Sequence, residues 1–155
     1  MIDLRAALTD GVTIRRLKHK DLSDVKAIER LSKDFLKTED PTATDAGYVL
    51  KGKSCSVVVV DGSIVGFMTY VSTEKICYHV SGLYVDARYR GKGYAKELLN
   101  YLIKQAGEHE MKSIKIGIRA ENNKAKSLYT SLGFKTIQSG KEFGTAYEIL
   151  ELKIK

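Results

Sequence analysis

The chain has 155 residues, of which 43% are hydrophobic and 29% are charged, and these proportions are typical of one soluble globular domain over residues 1–155. The longest uninterrupted aliphatic run, residues 57–60, is too short to cross a membrane, and no signal peptide is predicted. The formal net charge of +7 suits a polyanion, but the chain has no zinc-ligand spacing and no basic block with interleaved aromatic residues, which disfavours nucleic-acid binding.

The first predicted elements are an edge strand and an amphipathic helix. Residues 12–17 alternate between apolar and polar side chains, as a strand with one buried face does. Asp21 is a candidate N-cap for a helix that extends to about Lys37. Apolar residues recur at helical spacing along this helix and are predicted to lie in the core: Leu22, Val25, Ile28, Leu31 and Phe35.

A polar segment and a hairpin come next. The polar segment contains the only proline, and a short helix is predicted through residues 43–50. Asp61-Gly62 then separates two strand-like runs, residues 54–60 and residues 64–72. Asp-Gly between two such runs is a strong signal for a tight turn, so these residues predict an antiparallel hairpin.

The second half of the chain alternates strands and helices. The pattern predicts strands over residues 76–85 and 114–119, helices over residues 92–105 and 123–132, and a closing antiparallel pair formed by residues 134–138 and 146–153. The first two of these strands are joined by a helical crossover, which predicts that they are parallel. The fold class predicted is therefore mixed α/β with an antiparallel first half.

The two cysteines limit the chemistry of the chain. Cys55 and Cys77 are isolated and lack the Cys-x-x-Cys spacing of metal and redox motifs. Their number and spacing favour a reduced, cytoplasmic setting in which both thiols are small core or pocket residues. No metal site is predicted.

The most informative stretch is the basic loop between strand 76–85 and the next helix. Gly91 and Gly93 allow its backbone to approach a ligand closely, and a helix start leaves N–H groups unpaired. The loop lacks the third glycine of the dinucleotide fingerprint and the Gly-Lys-Ser/Thr of a P-loop. A phosphate or pyrophosphate site remains the prediction, supported by the helix dipole and four basic side chains: Arg88, Arg90, Lys92 and Lys96.

Two separated blocks carry a family resemblance. Arg90, Gly93 and Ala95 fill the pattern Arg/Gln-x-x-Gly-x-Gly/Ala. A second block fills the pattern Asn-x-x-Ala-x-x-x-Tyr-x-x-x-Gly-Phe with Asn122, Ala125, Tyr129, Gly133 and Phe134. In this order and at this separation, the blocks resemble the pyrophosphate loop and the closing signature of the GNAT superfamily of acyl-CoA-dependent N-acetyltransferases. The resemblance covers roughly residues 57–134 well.

The resemblance implies a fold and a cosubstrate. The fold is a central, mostly antiparallel sheet of six to seven strands with a parallel, splayed central pair and about four flanking helices. The cosubstrate is acetyl-CoA. Asn122 would bind its arm, although it could also cap a helix, and Lys126 would meet its phosphates unless it is simply solvated. The cofactor-binding residues implied are Leu83, Tyr84, Val85, Arg90, Gly91, Lys92, Gly93, Tyr94, Ala95, Lys96, Asn122, Ala125 and Lys126.

Tyr129 is the position of the family's general acid. A thiol has a pKa of roughly 8.5 and a phenol one of about 10, so complete proton transfer from tyrosine to a thiolate is uphill by about 2 kcal/mol. We therefore expect Tyr129 to donate a hydrogen bond to the leaving sulfur as charge develops. The alternative is a half-buried helical tyrosine with a packing role only.

The base is less well defined. The resemblance places His79 where other members carry a carboxylate on the central strand, and a neutral imidazole can accept a proton. A histidine that is merely satisfied within the sheet is an equally open interpretation. Gly117 stands where other members carry a glutamate, and Glu74 and Glu142 are loop alternatives. Cys77 lies near His79, so a covalent acyl-enzyme is a further, weaker alternative.

The function implied is transfer of an acetyl group from acetyl-CoA to a primary amine by direct attack in a ternary complex. The acceptor could be a small molecule, a peptide N-terminus or a lysine side chain, and homodimer formation is compatible with the sequence. A non-catalytic acyl-CoA-binding or sensing module is the alternative, and a nucleic-acid-binding domain is a third class. No membrane partner is expected.

Overall fold

A computed structural model describes residues 11–39, 50–74 and 76–155, with the backbone alone for residues 34–39. The helix predicted through residues 43–50 lies outside these ranges except for its last residue, and so does the side chain of Phe35. In chain order the elements are β1 (Val12–Arg16), α1 (Leu22–Glu39), β2 (Ser54–Val60), β3 (Ser63–Thr73), β4 (Cys77–Val85), a 3-10 helix (Ala87–Tyr89), α2 (Tyr94–Glu108), β5 (Ser113–Arg119), α3 (Asn123–Ser131), β6 (Lys135–Glu142) and β7 (Thr145–Lys153).

The strands form one seven-stranded sheet in the order β1-β2-β3-β4-β5-β7-β6. The pairs β1–β2, β2–β3, β5–β7 and β7–β6 are antiparallel, whereas β4 and β5 are parallel. The predicted mixed α/β fold, the edge position of β1 and the parallel central pair are confirmed. About four helices were expected, and the described residues contain three α-helices and the 3-10 helix.

The chain divides into two compact units. The first unit comprises the described residues up to Tyr70 together with Gly82–Tyr101, and the second unit comprises Val71–Ser81 and Leu102–Lys155. β4 and α2 each contribute residues to both units, because the divisions fall within these two elements.

The first unit is built on the predicted hairpin and on α1. Asp61 and Gly62 have φ angles of 48° and 85°, the left-handed conformations that a tight Asp-Gly turn requires. Its buried core consists of the residue that follows β1 and of residues from α1, β2, β3 and β4: Leu17, Ile28, Leu31, Cys55, Val57, Ile64, Phe67 and Tyr84. Burial of these apolar side chains is the main stabilising contribution to this unit.

The phase of α1 differs from the prediction at its first turn. Asp21 caps the helix as expected, because its Oδ1 accepts the backbone N–H of Ser23 at 2.9 Å and of Asp24 at 3.3 Å. Leu22 was predicted to lie in the core, but it is 67% exposed, whereas Asp24 is 4% exposed. Residues two positions apart in a helix are separated by about 200° around its axis, so Leu22 and Asp24 lie on opposite sides. Ile28 and Leu31 share the buried side with Asp24.

Asp24 tolerates burial because its charge is paired. Arg15 donates two hydrogen bonds to the carboxylate, at 2.8 and 2.9 Å, and the backbone N–H of Lys18 donates a third at 2.9 Å. The Arg15 guanidinium holds the pKa of Asp24 below its ordinary value, and the carboxylate raises the pKa of Arg15. This bidentate pair ties the end of β1 to the first turn of α1.

Asp24→Asn is expected to lower the free energy of unfolding by about 1.5 kcal/mol at neutral pH, since the hydrogen bonds to a charged group are weakened. Because the folded pKa of Asp24 lies below the unfolded value of about 3.9, the contribution is complete above that value and is lost as the pH falls through the folded pKa. Urea unfolding at several pH values measures this difference. A gap between the two proteins that persisted unchanged below pH 3 would contradict the assignment to the carboxylate.

The second unit is built around β5. Its parallel ladder joins Cys77–Val80 of β4 to Ser113–Ile116, and β4 continues beyond this ladder to Val85. On its other side β5 pairs with β7 along its whole length. From Ile114 onwards, alternate residues of β5 are buried, namely Ile114, Ile116 and Ile118, so one face of this sheet is the core face. On the other face of β5, Ser113 is buried and the residues that follow it are partly buried or exposed.

The closing hairpin is longer than predicted. β6 extends to Glu142 and turns at Phe143 and Gly144, which have left-handed φ angles of 51° and 79°. The prediction ended this strand at residue 138 because the rest of it lacks an alternating apolar pattern. That pattern is absent because β6 is an edge strand whose residues are almost all exposed.

Candidate functional site

The loop after β4 is held in place by Asp86. Its backbone N–H donates to the carbonyl of Val65 at 2.8 Å, and its Oδ1 accepts the backbone N–H of Arg88 at 3.0 Å, which caps the 3-10 helix. Gly91 and Gly93 follow with φ angles of 76° and 85°. A helix cannot include residues in this conformation, which is why α2 begins at Tyr94, two residues later than predicted.

The backbone between this loop and α2 presents unused donors. Glu97 N–H donates to the carbonyl of Gly93 at 3.0 Å and forms the first bond of the helix. Within the described part of the chain, no hydrogen bond is donated by the N–H groups of residues 91–96. These donors coincide with the positive end of the helix dipole, which is the arrangement that binds phosphate groups.

The basic side chains of the loop are not equivalent. Arg90 donates from Nε to the carbonyl of Val85 at 2.8 Å, and its guanidinium carbon lies 5.2 Å from the centroid of the Tyr84 ring. Arg88 pairs with Asp86 at 3.0 Å, and this guanidinium lowers the pKa of the Asp86 carboxyl. Lys92 and Lys96 are exposed and form no ion pair with any other described residue. Two of the four predicted cations are therefore engaged by the protein itself.

The end of β4 is closely packed in the first unit. Leu83 is partly buried, whereas Tyr84 and Val85 are buried. The Tyr84 ring centroid is 6.2 Å from that of Phe67. A Cβ added to Gly66 of β3 would come within 2.9 Å of the Tyr84 carbonyl oxygen, so a larger residue there would displace the β4 backbone.

In the second unit, Asn122 and Tyr129 belong to α3. Asn122 caps the helix, since its Oδ1 accepts the N–H of Ala125 at 3.1 Å. Tyr129 is 6% exposed, and its ring centroid lies 5.9 Å from that of Phe134. The backbone N–H of Phe134 also donates to the Tyr129 carbonyl at 3.1 Å. The capping interpretation of Asn122 is confirmed, and the roles of both residues towards a cofactor stay predictions.

Lys126 is engaged by a partner that the sequence did not reveal. Its Nζ donates to both carboxylate oxygens of Glu148, at 2.9 and 3.0 Å. Lys126 and Thr136 together lower the pKa of Glu148. For Lys126 to contact a cofactor phosphate, its ion pair with Glu148 would have to break.

His79 lies on the more open face of the second unit's sheet. It is partly buried and stands opposite Lys115 in the parallel register. Cys77 and Ser81 share its face by strand alternation, and Cys77 is buried while Ser81 is exposed. Glu74 and Glu142, the alternative bases, are both exposed.

The opposite face of β4 carries a histidine contact that the sequence analysis missed. Tyr78 Oη and His109 Nδ1 are hydrogen-bonded at 2.7 Å. The rings meet edge to face, with centroids 6.5 Å apart. Their separation of 31 residues offers no local signal, because the contact depends on where α2 ends relative to β4.

Both cysteines are free thiols and buried. Burial raises the pKa of Cys55 to about 12, which leaves this thiol unreactive. Among the described residues, no group of three or more His, Cys, Asp or Glu side chains could hold a metal ion. In that same portion of the chain, no helix is both long and apolar enough to cross a membrane.

Comparison with known proteins places these features in a family. The sequence model of the acetyltransferase (GNAT) family matches residues 22–134. L-2,4-diaminobutyric acid acetyltransferase from Streptomyces avermitilis is 31% identical over 140 residues, which cover 83% of this chain and 75% of that protein. The structure of yncA from Salmonella typhimurium, solved with its cofactor acetyl-CoA, has a TM-score of 0.76 and 21% identity over 94% of this chain and 95% of that one.

N-acetylaspartate synthetase from Homo sapiens is 35% identical over 80 residues, which are 51% of this chain. The match covers 26% of that enzyme, so the chain spans about a quarter of its length. The family match, by contrast, extends from α1 to the residue before β6 and includes both sequence blocks described above. The protein therefore belongs to the acetyltransferase (GNAT) family.

Proposed function

We propose that the protein is an N-acetyltransferase that transfers the acetyl group of acetyl-CoA to a primary amine by direct attack in a ternary complex. The observation that carries this proposal is the row of N–H donors in residues 91–96 that no described residue uses, at the start of α2 and with two left-handed glycines among them. Donors in this arrangement suit the pyrophosphate of CoA. The presence of acetyl-CoA in the yncA structure supports the same cosubstrate.

The other predicted residues are assigned roles within this proposal. Backbone groups of Leu83 and Val85 would bind the pantetheine amides, and an N–H there can polarise the thioester carbonyl. Asn122 would bind the cofactor arm, and the small side chain of Ala125 would leave room for it. Tyr129 would donate a hydrogen bond to the leaving sulfur.

Proton removal from the acceptor is assigned to His79. For an amine with the pKa of lysine, deprotonation at pH 7 costs about 4.6 kcal/mol, so an acceptor for the proton is required directly or through water. His79 is the histidine of β4 on the open face of the second unit, where it lies between Cys77 and Ser81. Its partly buried position keeps it accessible to solvent.

His79→Ala is expected to remove the acidic limb of the pH–rate profile and to lower kcat at neutral pH by about tenfold. This decrease is smaller than the one expected on losing an obligatory base, because water can also accept the proton. The profile is measured as kcat/KM against pH with one amine. His19→Ala, which removes an exposed histidine of the first unit, is the matched control. A profile unchanged in His79→Ala would reject His79 as the base.

The acceptor is proposed to be a small amino acid. Two relatives are named for acetylation of amino acids, aspartate and 2,4-diaminobutyrate, and the net charge of +7 disfavours a polyamine.

We further propose one domain over residues 1–155, because the family match includes residues of both units. The two free, buried cysteines support a cytoplasmic location.

A non-catalytic acyl-CoA-binding module is the alternative function. It would retain residues 90–96 and Asn122 but would need neither His79 nor Tyr129. Release of free CoA thiol from acetyl-CoA, measured with a panel of amines, separates the two functions. Release that depends on the amine supports acetyl transfer, whereas CoA binding without any release supports the module.

CoA itself is expected to raise the melting temperature. At a CoA concentration ten times Kd, preferential binding to the folded state contributes about 1.4 kcal/mol, or a shift of about 3–5 °C for a chain of this size. Pantetheine, which lacks the diphosphate, is the matched control ligand and should give a much smaller shift. A flat melting temperature across millimolar CoA would contradict both functions.

A further inference from the structure

The open face of the second unit's sheet carries a row of aligned side chains. Register places His79 of β4 opposite Lys115 of β5, Lys115 opposite Glu151 of β7, and Glu151 opposite Lys135 of β6. Residues paired in this way share one face of a sheet and lie about 4.8 Å apart. The intervening residues of β5 are the buried isoleucines, so this row lies on the face turned away from the core.

Lys115 and Arg119 are the two cations of β5 on this face, and Gly117 lies between them. Gly117 is exposed, and a Cβ built on it would meet nothing within 4 Å. The two cationic residues are about 13 Å apart along the strand at their backbones, and both have long flexible side chains. Their charged ends can therefore reach an anion that rests above Gly117.

The charges of these cations are only weakly compensated. Lys115 Nζ is 4.0 Å from Glu151 Oε2, which is too long for a hydrogen bond, so this ion pair is loose. The Arg119 guanidinium forms no hydrogen bond or ion pair with any side chain in the described part of the chain. An incoming carboxylate would thus find one free guanidinium and one loosely held ammonium, without first breaking a short ion pair.

We propose that Lys115 and Arg119 bind a carboxylate of the acceptor and so select acceptors that carry a carboxylate close to the reactive amine. This inference rests on the proposed function, and it adds the residues that bind the acceptor's carboxylate and so determine substrate specificity. Lys115 is the register partner of His79, so an acceptor held by its carboxylate over Gly117 brings an amine on the same or a neighbouring carbon next to the assigned base. The selected class is amino acids with a free carboxylate.

Pairs of acceptors that differ by the carboxylate test this selection in the thiol-release assay. 2,4-Diaminobutyrate is compared with 1,3-diaminopropane, which keeps both amines and loses the carboxylate, and L-aspartate is compared with its diamide. The carboxylate-bearing member is expected to have a kcat/KM that is higher by about 10- to 100-fold. This ratio corresponds to the free energy contributed by hydrogen bonds to a charged group. A peptide that begins with aspartate is included to separate a free amino acid from a peptide acceptor.

Three variants locate the effect. Arg119→Gln and Lys115→Met should each raise KM for 2,4-diaminobutyrate by about tenfold or more while leaving KM for 1,3-diaminopropane unchanged. Gly117→Asp places a carboxylate between the two cations and should reverse the preference. Lys141→Met is the matched control: it removes a lysine from the other face of the same sheet and should change neither KM.

The outcomes distinguish the inference from the function beneath it. Equal kcat/KM for the members of each pair, with amine-dependent thiol release intact, would overturn carboxylate selection and leave acetyl transfer standing. Equal losses in Arg119→Gln and Lys141→Met would also overturn it, since the effect would then come from net charge alone. If no amine releases thiol and CoA does not raise the melting temperature, the proposed function fails and the inference fails with it.

Discussion

Replacing Tyr129 with phenylalanine is expected to lower kcat by about 100-fold, the lower end of the effect of a general acid, with little change in affinity for CoA. The phenolic hydroxyl is the only group removed, and it acts on charge that develops at the leaving sulfur during the reaction. The ring that packs 5.9 Å from Phe134 is retained, so the fold around α3 should be preserved. Steady-state rates and CoA titrations measure the two effects separately.

Tyr101→Phe is the matched control for this substitution, because it removes the phenolic hydroxyl from a partly buried tyrosine of α2 that has no assigned role. It should leave kcat within about twofold, as expected for a residue outside the reaction. If Tyr129→Phe instead lowered CoA affinity and melting temperature as much as kcat, Tyr129 would be a packing residue. In that case the acid would have to be sought elsewhere or replaced by solvent.

Gly93→Val is expected to weaken acetyl-CoA binding by about 2 kcal/mol, or about 30-fold. The reason is the backbone: Gly93 has a φ of 85°, which a β-branched residue adopts only with strain, whereas a Cβ at this position would meet nothing within 4 Å. Relief of that strain would turn the N–H groups of residues 91–96 away from the diphosphate. Lys96→Ala should have a smaller effect, since it removes one exposed charge and leaves the donors in place.

Gly62→Val provides a closely matched control. Gly62 also has a φ of 85° and an open Cβ position, but it lies in the β2–β3 turn. Its replacement should cost similar stability, seen in urea unfolding, and leave CoA affinity unaltered. Equal losses of CoA affinity in the two valine variants would mean that global destabilisation, and not the loop, explains the result.

Much of the fold follows from local patterns in the sequence. Asp61-Gly62 specifies its hairpin because a tight turn needs left-handed residues, and alternating apolar residues mark the strands that have one buried face. The prediction that Leu22 of α1 is buried was wrong, because an apolar pattern does not show that a paired carboxylate can occupy the buried side of the helix. The far end of β6 was missed for the converse reason, because an exposed edge strand has no apolar pattern to detect.

The candidate site was less predictable than the fold. Glycines and a helix start indicate backbone donors, and these follow from local sequence. The partners of individual cations do not, because they depend on distant residues: Arg90 bonds the Val85 carbonyl at 2.8 Å, and Lys126 pairs with Glu148, which is 22 residues away. The alignment of Lys115 with His79 likewise arises from strand register, which no single segment encodes.

The burial of the two cysteines has a practical use in enzymology. Cys55 is 1% exposed with a pKa of about 12, and Cys77 is 7% exposed, so neither thiolate should attack a disulfide dye while the chain stays native. A chromogenic reagent that reacts with liberated coenzyme can therefore be left in the cuvette throughout turnover with almost no background from the catalyst. A sudden gain of two dye equivalents per chain would then signal denaturation of the sample rather than product formation.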